Sequence, residues 1–314
     1  MEYRKISNTD MEVTTITLGT WVFGGDCWGK VDDEQSIRVI EKAVDSGINI
    51  IDTAPIYGTG RSESVIGKAL KRIKNKVYIA TKCGLKPEGR SIQVDQSAKF
   101  IRQDLEGSLK RLGIETIDLY QIHFPDEKIP LEETLSEMMK FVEEGKVRYI
   151  GVSNFEKDLL EKAVKIAPVV SNQMHYSLLH RDIEDEVIPF CREKGISILA
   201  YGSLGGGILT GKYKEPPKVS KGDVKSFYYD YYREPTWSKA CELVSTLKEI
   251  AEERGVPTSQ VAVNWALSRN EVTTALVGCR TEEQLAGNVS AMDWELTEEE
   301  LNRIQTKYDQ VFTE

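Results

Sequence analysis

Cysteine and histidine are scarce in this chain of 314 residues, and the few present are badly spaced for metal or disulfide chemistry. The five cysteines, Cys27, Cys83, Cys191, Cys241 and Cys279, are odd in number, far apart and free of any C-x-x-C pair. Neither a disulfide framework nor a thiolate metal site is encoded, and buried thiols are expected. The three histidines, His123, His175 and His180, show no H-x-x-x-H or H-E-x-x-H spacing, which argues against a metalloenzyme. Positive charge is also short: a formal net charge of -9 leaves no basic face for nucleic acid or an anionic membrane. No apolar run is long enough to span a bilayer, and the charged start MEYRKISNTD is unlike a signal sequence, so a cytoplasmic protein is expected. A G-x-G-x-x-G loop after a strand is missing too, which removes the Rossmann route to a dinucleotide.

What is present is an alternation of strand-like and helix-like segments with no linker or low-complexity stretch, pointing to one wound α/β domain over residues 1–314. Hydrophobic content of 40% suffices for one large core. Eight strands are predicted near Thr15–Leu18, Ile48–Asp52, Val77–Thr81, Ile117–His123, Tyr149–Ser153, Val169–Met174, Ser197–Tyr201 and Thr273–Val277, a number that suits a closed barrel. Between them apolar residues recur at helical spacing, as at Ile37, Ile40, Ala43 and Val44, or Phe100, Leu105, Leu109 and Leu112. A helix over Leu131–Phe141 starts beside Pro130 and stops before Gly145. Tyr3-Arg4-Lys5 and Glu12-Val13 flank the turn Asn8-Thr9-Asp10 and predict an N-terminal hairpin that plugs one barrel end. Helices at about Ser238–Arg254 and Thr297–Phe312 exceed the simple repeat and are expected on the barrel exterior.

Four residues carry the chemistry: Asp52 and Tyr57 in IIDTAPIYGTG, Lys82 in VYIATKCG and His123 in DLYQIHFPD. Each follows a short β-branched or apolar run, so each falls where a buried strand ends, and neighbouring strand ends of a parallel barrel converge on one face. An acid, a phenol, an amine and an imidazole together make a proton-transfer site. Singly, each has a plainer reading: Asp as a cap, Tyr as a packed rim residue, Lys as a solvated one. His175 and His180 lack such company and read as structural or rim residues.

The strings GTW at Gly19–Trp21, IDTAPIYG at Ile51–Gly58, TK at Thr81-Lys82, IHFPD at Ile122–Asp126, GVSNF at Gly151–Phe155, NQ at Asn172-Gln173 and LTGKY at Leu209–Tyr213 resemble the aldo-keto reductase superfamily, and specifically its bacterial branch related to potassium-channel β-subunits. Their order matches through ALVGCRTEEQLAGN at Ala275–Asn288, across essentially the whole chain. The resemblance implies a (β/α)8 TIM barrel, a nicotinamide cofactor held without a Rossmann fold, and Asp52, Tyr57, Lys82 and His123 as a catalytic tetrad. In those roles Tyr57 protonates a carbonyl oxygen while hydride reaches carbon. A free phenol has a pKa of about 10, and a cation about 4 Å away is worth roughly 4 kcal/mol at an effective dielectric near 20, on the order of three units. Lys82 is that cation, Asp52 holds it, and His123 orients the carbonyl.

The resemblance further implies cofactor contacts spread along the chain: Gly19, Thr20, Trp21 and Asp52 near the first strands; Ser153, Asn154 and Gln173 for the nicotinamide carboxamide; Tyr176 as the ring stacked on nicotinamide, with Tyr201 nearby. Ser203, Leu204, Leu209 and Gly211 match the pyrophosphate-side loop, and Gly205-Gly206-Gly207 resembles a phosphate cradle. At the adenosine end Gly278 and Cys279 stand where many relatives have a Lys. Arg280 is then the nearest cation for a 2′-phosphate, with Gln284 and Asn288 toward adenine. NADP(H) is expected over NAD(H). Trp21, Phe23, Trp28, Tyr57, His123 and Phe124 are candidates for an apolar substrate pocket. The segment Lys214–Trp237 holds Phe227, Tyr228, Tyr229, Tyr231, Tyr232 and Trp237 and reads as a lid or an oligomer contact. The expected partner is a small carbonyl or alcohol. A regulatory subunit resembling potassium-channel β-subunits is the competing reading, and an intact tetrad does not separate the two. A phosphate-sugar isomerase would want a Glu at a strand end, and none occurs there.

Overall fold

The computed structural model describes residues 2–25, 28–89, 91–218 and 228–313. A two-stranded antiparallel hairpin opens the chain, β1 (Tyr3–Lys5) with β2 (Glu12–Thr14). Eight parallel strands then close a barrel: β3 (Ile16–Gly19), β4 (Ile50–Asp52), β5 (Tyr78–Cys83), β8 (Ile117–Ile122), β9 (Val147–Ser153), β10 (Val169–His175), β11 (Ser197–Tyr201) and β12 (Val272–Gly278). Helices follow the strands on the outside, so the fold is the (β/α)8 barrel expected from the alternation. A second hairpin, β6 (Leu85–Glu88) with β7 (Ser91–Val94), projects after β5. It escapes a hydrophobic-pattern reading because its strands are short and mostly exposed, and Pro87 inside one of them argues against a strand.

Side-chain alternation divides the barrel interior into layers. Ile50, Ala80, Leu119, Val170, Leu199 and Leu276 form an apolar layer with Ile6, Met11 and Val13 of the N-terminal hairpin, which plugs that end as expected. Two residues further along the same strands the inward positions turn polar: Asp52, Lys82, Gln121 and Tyr201. Ile79, Tyr120, Ile122 and Val152 face out instead, into the larger core with the helices. On the helix Asp33–Asp45, the predicted stripe Ile37, Ile40, Ala43 and Val44 is buried; burying each large aliphatic side chain is worth about 1.5–3 kcal/mol. Asp32 caps that helix by accepting from the Gln35 amide. The supernumerary helices Thr236–Arg254 and Glu298–Phe312 pack on each other, laced by Arg254–Glu300 and Arg303–Glu253. Among the described residues no helix is long and apolar enough to cross a membrane.

Strand β10 is irregular. Its pairing with β9 shifts register between Val169 and Ser171, so two residues of β10 oppose one step of β9. Val170 faces the barrel axis, but beyond the shift the inward positions become Gln173 and His175, and Met174 and Tyr176 point outward.

Candidate active site

Asp52, Lys82 and His123 stand at the ends of the adjacent strands β4, β5 and β8, and Tyr57 lies on the turn that follows β4. Lys82 is wholly buried. An ammonium has three N–H bonds to donate, and Lys82 Nζ spends them on Asp52 Oδ1 at 2.6 Å, the Thr53 carbonyl at 2.9 Å and the Tyr57 hydroxyl at 3.3 Å. Burial pulls Lys82 below the usual lysine range, opposed by the charges of Asp52 and then Glu63. His123 is held well below an ordinary histidine pKa, first by burial and then by the positive charge of Lys82. It therefore stands neutral at neutral pH, with an N–H to donate and no second positive charge beside the lysine.

Several groups fix these side chains in place. Gln173 Nε2 donates to Asp52 Oδ2 at 2.8 Å, and Gln121 Nε2 reaches the same oxygen at 3.4 Å. The Thr20 hydroxyl donates to the Asp52 carbonyl at 2.8 Å, which ties the end of β4 to the loop after β3. Asn154 adopts a positive φ of 61° directly after β9; its Nδ2 donates to the His123 carbonyl at 3.0 Å and its Oδ1 accepts from the Tyr201 hydroxyl at 2.7 Å. A non-glycine residue in that region is held by its surroundings, and here the hold links β8, β9 and β11.

Aromatic rings cluster around Tyr57 and His123. Trp21 stacks on Tyr57 with centroids 6.0 Å apart, Trp28 and Tyr228 meet Trp21 edge-on, and Phe124 stacks on His123 at 5.4 Å. Phe23 does not join them. It is 1% exposed and belongs to the core between barrel and helices, because the chain turns helical over Trp21–Gly24 and sends Phe23 inward. The aromatic end of the segment 214–237 is not an exposed patch: Tyr229, Tyr231, Tyr232 and Trp237 are buried in the chain's own fold, and the Tyr232 hydroxyl donates to the Gly206 carbonyl. Cys27 and Phe227 lie outside the described residues.

Tyr176 does not reach the nicotinamide side expected for it. Its ring is fully buried against Trp265, at 5.2 Å, and its hydroxyl donates to Glu184 Oε1 at 2.7 Å, away from the barrel mouth. The register shift in β10 is the physical reason, since it exchanges the inward and outward positions of that strand. Tyr201, inward on β11, is the tyrosine available at the mouth; its ring stacks on His175 at 5.2 Å and 12°, and its hydroxyl also meets that of Tyr228 at 3.0 Å. His175 is thus closer to the site than its isolation in sequence suggests. Gln121 is a site residue that pattern reading misses, although an amide within the apolar run of β8 is a signal for it.

The remaining predicted residues fall at or after the ends of β9, β11 and β12. Gly205, Gly206 and Gly207 have φ of 54°, 64° and 106°, a run of left-handed backbone that favours glycine, in the 3-10 turn Gly205–Thr210 that includes Leu209 and is flanked by Leu204 and Gly211. The Gly205 and Gly207 amides close turns onto the Gly202 and Leu204 carbonyls, so the run is a tight turn without Cβ atoms that a ligand can approach closely. Ser203 Oγ turns back to the Ala200 carbonyl, and Ser153 Oγ donates to the Gln173 carbonyl. Gly278 pairs with Gly19 across β12 and β3. Arg280 donates through its guanidinium to the Trp28 carbonyl and through its backbone N–H to Gln284 Oε1, at the start of the helix Glu282–Val289 that bears Asn288. A dinucleotide finds chemically suitable groups in this set: a glycine turn after β11, the Gln173 amide on β10 and Arg280 after β12.

The profile of the aldo/keto reductase family matches residues 15–309 of the chain. The chain belongs to this family. It is similar to the aldo-keto reductase YhdN of Bacillus subtilis (strain 168), 37% identical over 309 residues, covering 98% of this chain and 93% of that protein. It is also similar to the probable aldo-keto reductase 1 of Glycine max, at 33% identity over 96% of the chain and 87% of that protein. Among solved structures, the glycerol dehydrogenase AKR11B4 from Gluconobacter oxydans superposes with a TM-score of 0.91 at 35% identity, covering 99% of this chain and 96% of that one. The holo form of aldo-keto reductase AKR11C1 from Bacillus halodurans gives 0.81 at 27% identity, over 98% and 96%. Membership makes this chain an oxidoreductase of aldehydes or ketones that uses a nicotinamide cofactor.

Proposed function

We propose that the chain is an NADPH-dependent reductase that converts aldehydes or ketones to alcohols, reversibly, with Tyr57 as the general acid. The observation that carries this reading is the buried Lys82, whose ammonium contacts both Asp52 and the Tyr57 hydroxyl. When bound, the nicotinamide supplies the hydride. Tyr57 gives its phenolic proton to the carbonyl oxygen, and Lys82 stabilises the phenolate left behind. Asp52 keeps the ammonium in place and charged inside the barrel. His123, neutral, donates a hydrogen bond to the same carbonyl oxygen and sets its angle. Trp21, Trp28 and Phe124 exclude water from the reacting carbon. Ser153, Asn154 and Gln173 stand for the carboxamide, Tyr201 for the ring face, and the glycine turn for the pyrophosphate. The preference for NADP(H) over NAD(H) rests on Arg280, whose planar fork suits a 2′-phosphate.

The test is the loss of NADPH absorbance with a panel of activated aldehydes, ketones and quinones, beside NADH and beside Tyr57→Phe. Turnover with NADPH that falls at least a hundredfold in Tyr57→Phe, with NADPH affinity kept, is the expected result. Full turnover in Tyr57→Phe overturns the role of Tyr57, and tight NADPH binding without turnover across the panel favours a regulatory subunit.

A further inference from the structure

The two oxygens of Asp52 serve different partners. Oδ1 accepts from Lys82 at 2.6 Å, while Oδ2 accepts from Gln173 at 2.8 Å and Gln121 at 3.4 Å. A carboxylate only accepts, so the end of each amide that faces Oδ2 must be nitrogen. Gln121 then has its oxygen left for Gln173, whose Nε2 lies 3.4 Å from Gln121 Oε1. Both N–H bonds of Gln173 are therefore spent inside the barrel, one on Asp52 and one on Gln121. Its Oε1 has no donor among the described residues, and the residue keeps 3% exposure. Gly151 makes the arrangement possible: a Cβ there would lie 2.9 Å from Cγ of Gln121.

We propose that Asp52, through Oδ2 and with Gln121, is a positioning residue that fixes the Gln173 amide with its oxygen toward the cofactor, so that the site selects a ligand carboxamide by its N–H. The inference rests on reading the site as a nicotinamide site. It gives Asp52 a second duty beside holding Lys82, and it couples recognition of the carboxamide to the same carboxylate that organises proton transfer. Replacing Asp52 by asparagine reverses the logic. Lys82 still needs an acceptor, so the asparagine turns its oxygen to Lys82 and its NH2 toward Gln173. Two donors then face each other, the Gln173 amide inverts, and it offers N–H outward instead of oxygen.

The experiment measures equilibrium dissociation constants, by quenching of tryptophan fluorescence, for NADP and for its analogue in which the carboxamide is replaced by acetyl, which keeps the carbonyl and lacks the N–H donor. Neither measurement involves turnover. The wild-type protein is expected to bind NADP about tenfold more tightly than the analogue, the worth of one hydrogen bond to an acceptor that has no donor among the described residues. In Asp52→Asn the ratio falls to about one, with affinity for the analogue unchanged or improved. A merely structural defect would weaken both ligands alike and leave the ratio at its wild-type value, which overturns the inference. Gln173→Leu, which adds no buried charge, provides the second arm: it also brings the ratio to about one, and a wild-type ratio there is equally fatal. Binding of both dinucleotides with an unaltered ratio in the variants sinks the amide inference alone, whereas binding of neither by the wild-type protein sinks the nicotinamide reading with it.

Discussion

Removing the cation next to Tyr57 while keeping the fold is the sharpest probe of the site. Lys82→Met alone would strand Asp52, which is 2% exposed, as an unpaired buried carboxylate, at a cost of about 3–5 kcal/mol. The combined Lys82→Met, Asp52→Asn variant removes both charges, and replacing a whole buried pair by neutral groups is often close to neutral for stability. Its effect on catalysis follows from one distance. An ammonium 3.3 Å from a phenolate oxygen attracts it by about 5 kcal/mol at an effective dielectric near 20. If half of that charge has developed when the proton crosses, roughly 2.5 kcal/mol of barrier lowering disappears, about a 70-fold drop in kcat at neutral pH. The assay is NADPH oxidation over a pH series, beside a melting curve to confirm that the variant is folded. A folded double variant with wild-type kcat would refute the argument that Lys82 stabilises the phenolate.

Asp104, which accepts from the Gly84 amide just beyond Lys82 and Cys83, has its carboxyl pushed up by burial from 3.8 to about 6. A carboxyl with a raised folded-state pKa stabilises the fold at low pH, and that contribution is lost as pH rises through about 6; Asp104→Asn, which can still accept from Gly84, should gain up to roughly 3 kcal/mol at pH 8 and nothing near pH 3. Thermal melts at both pH values check this, and equal gains at both would show that ionisation of Asp104 is not the cause. Tyr176→Leu removes a stacked ring and a charge-assisted hydrogen bond, so it should cost roughly 2 kcal/mol or more of stability and leave NADPH affinity untouched. Tyr201→Leu should weaken NADPH by up to about tenfold with a smaller change in Tm. The opposite allocation between the two tyrosines would mean that β10 presents its other face to the site.

Much of this protein follows from local pattern. β-branched runs closing on Asp52, Lys82 and His123, helices at the 3.6-residue period between them, and turn residues at Asn8-Thr9-Asp10 are properties of neighbouring residues, and each survives intact in the folded chain. The eight strands, the plugging hairpin and the polar strand ends are therefore legible in the order of residues alone. What sequence could not decide depends on register and on residues brought together from far apart. One extra residue in β10 between Val169 and Ser171 sends Tyr176 outward and His175 inward, and alternation counted along the chain cannot detect it. The burial of Phe23 comes from a single helical turn over Trp21–Gly24 that no periodicity of four residues can announce. Gln121 and Gln173 are 52 residues apart in sequence, and only closure of the barrel sets their amides against one carboxylate. The sequence by itself determined which residue types end the strands, because strand propensity and polarity are local. The tertiary structure alone decided which of their atoms face one another, because that orientation is set by strand register and by hydrogen bonds that exist only once the barrel has closed.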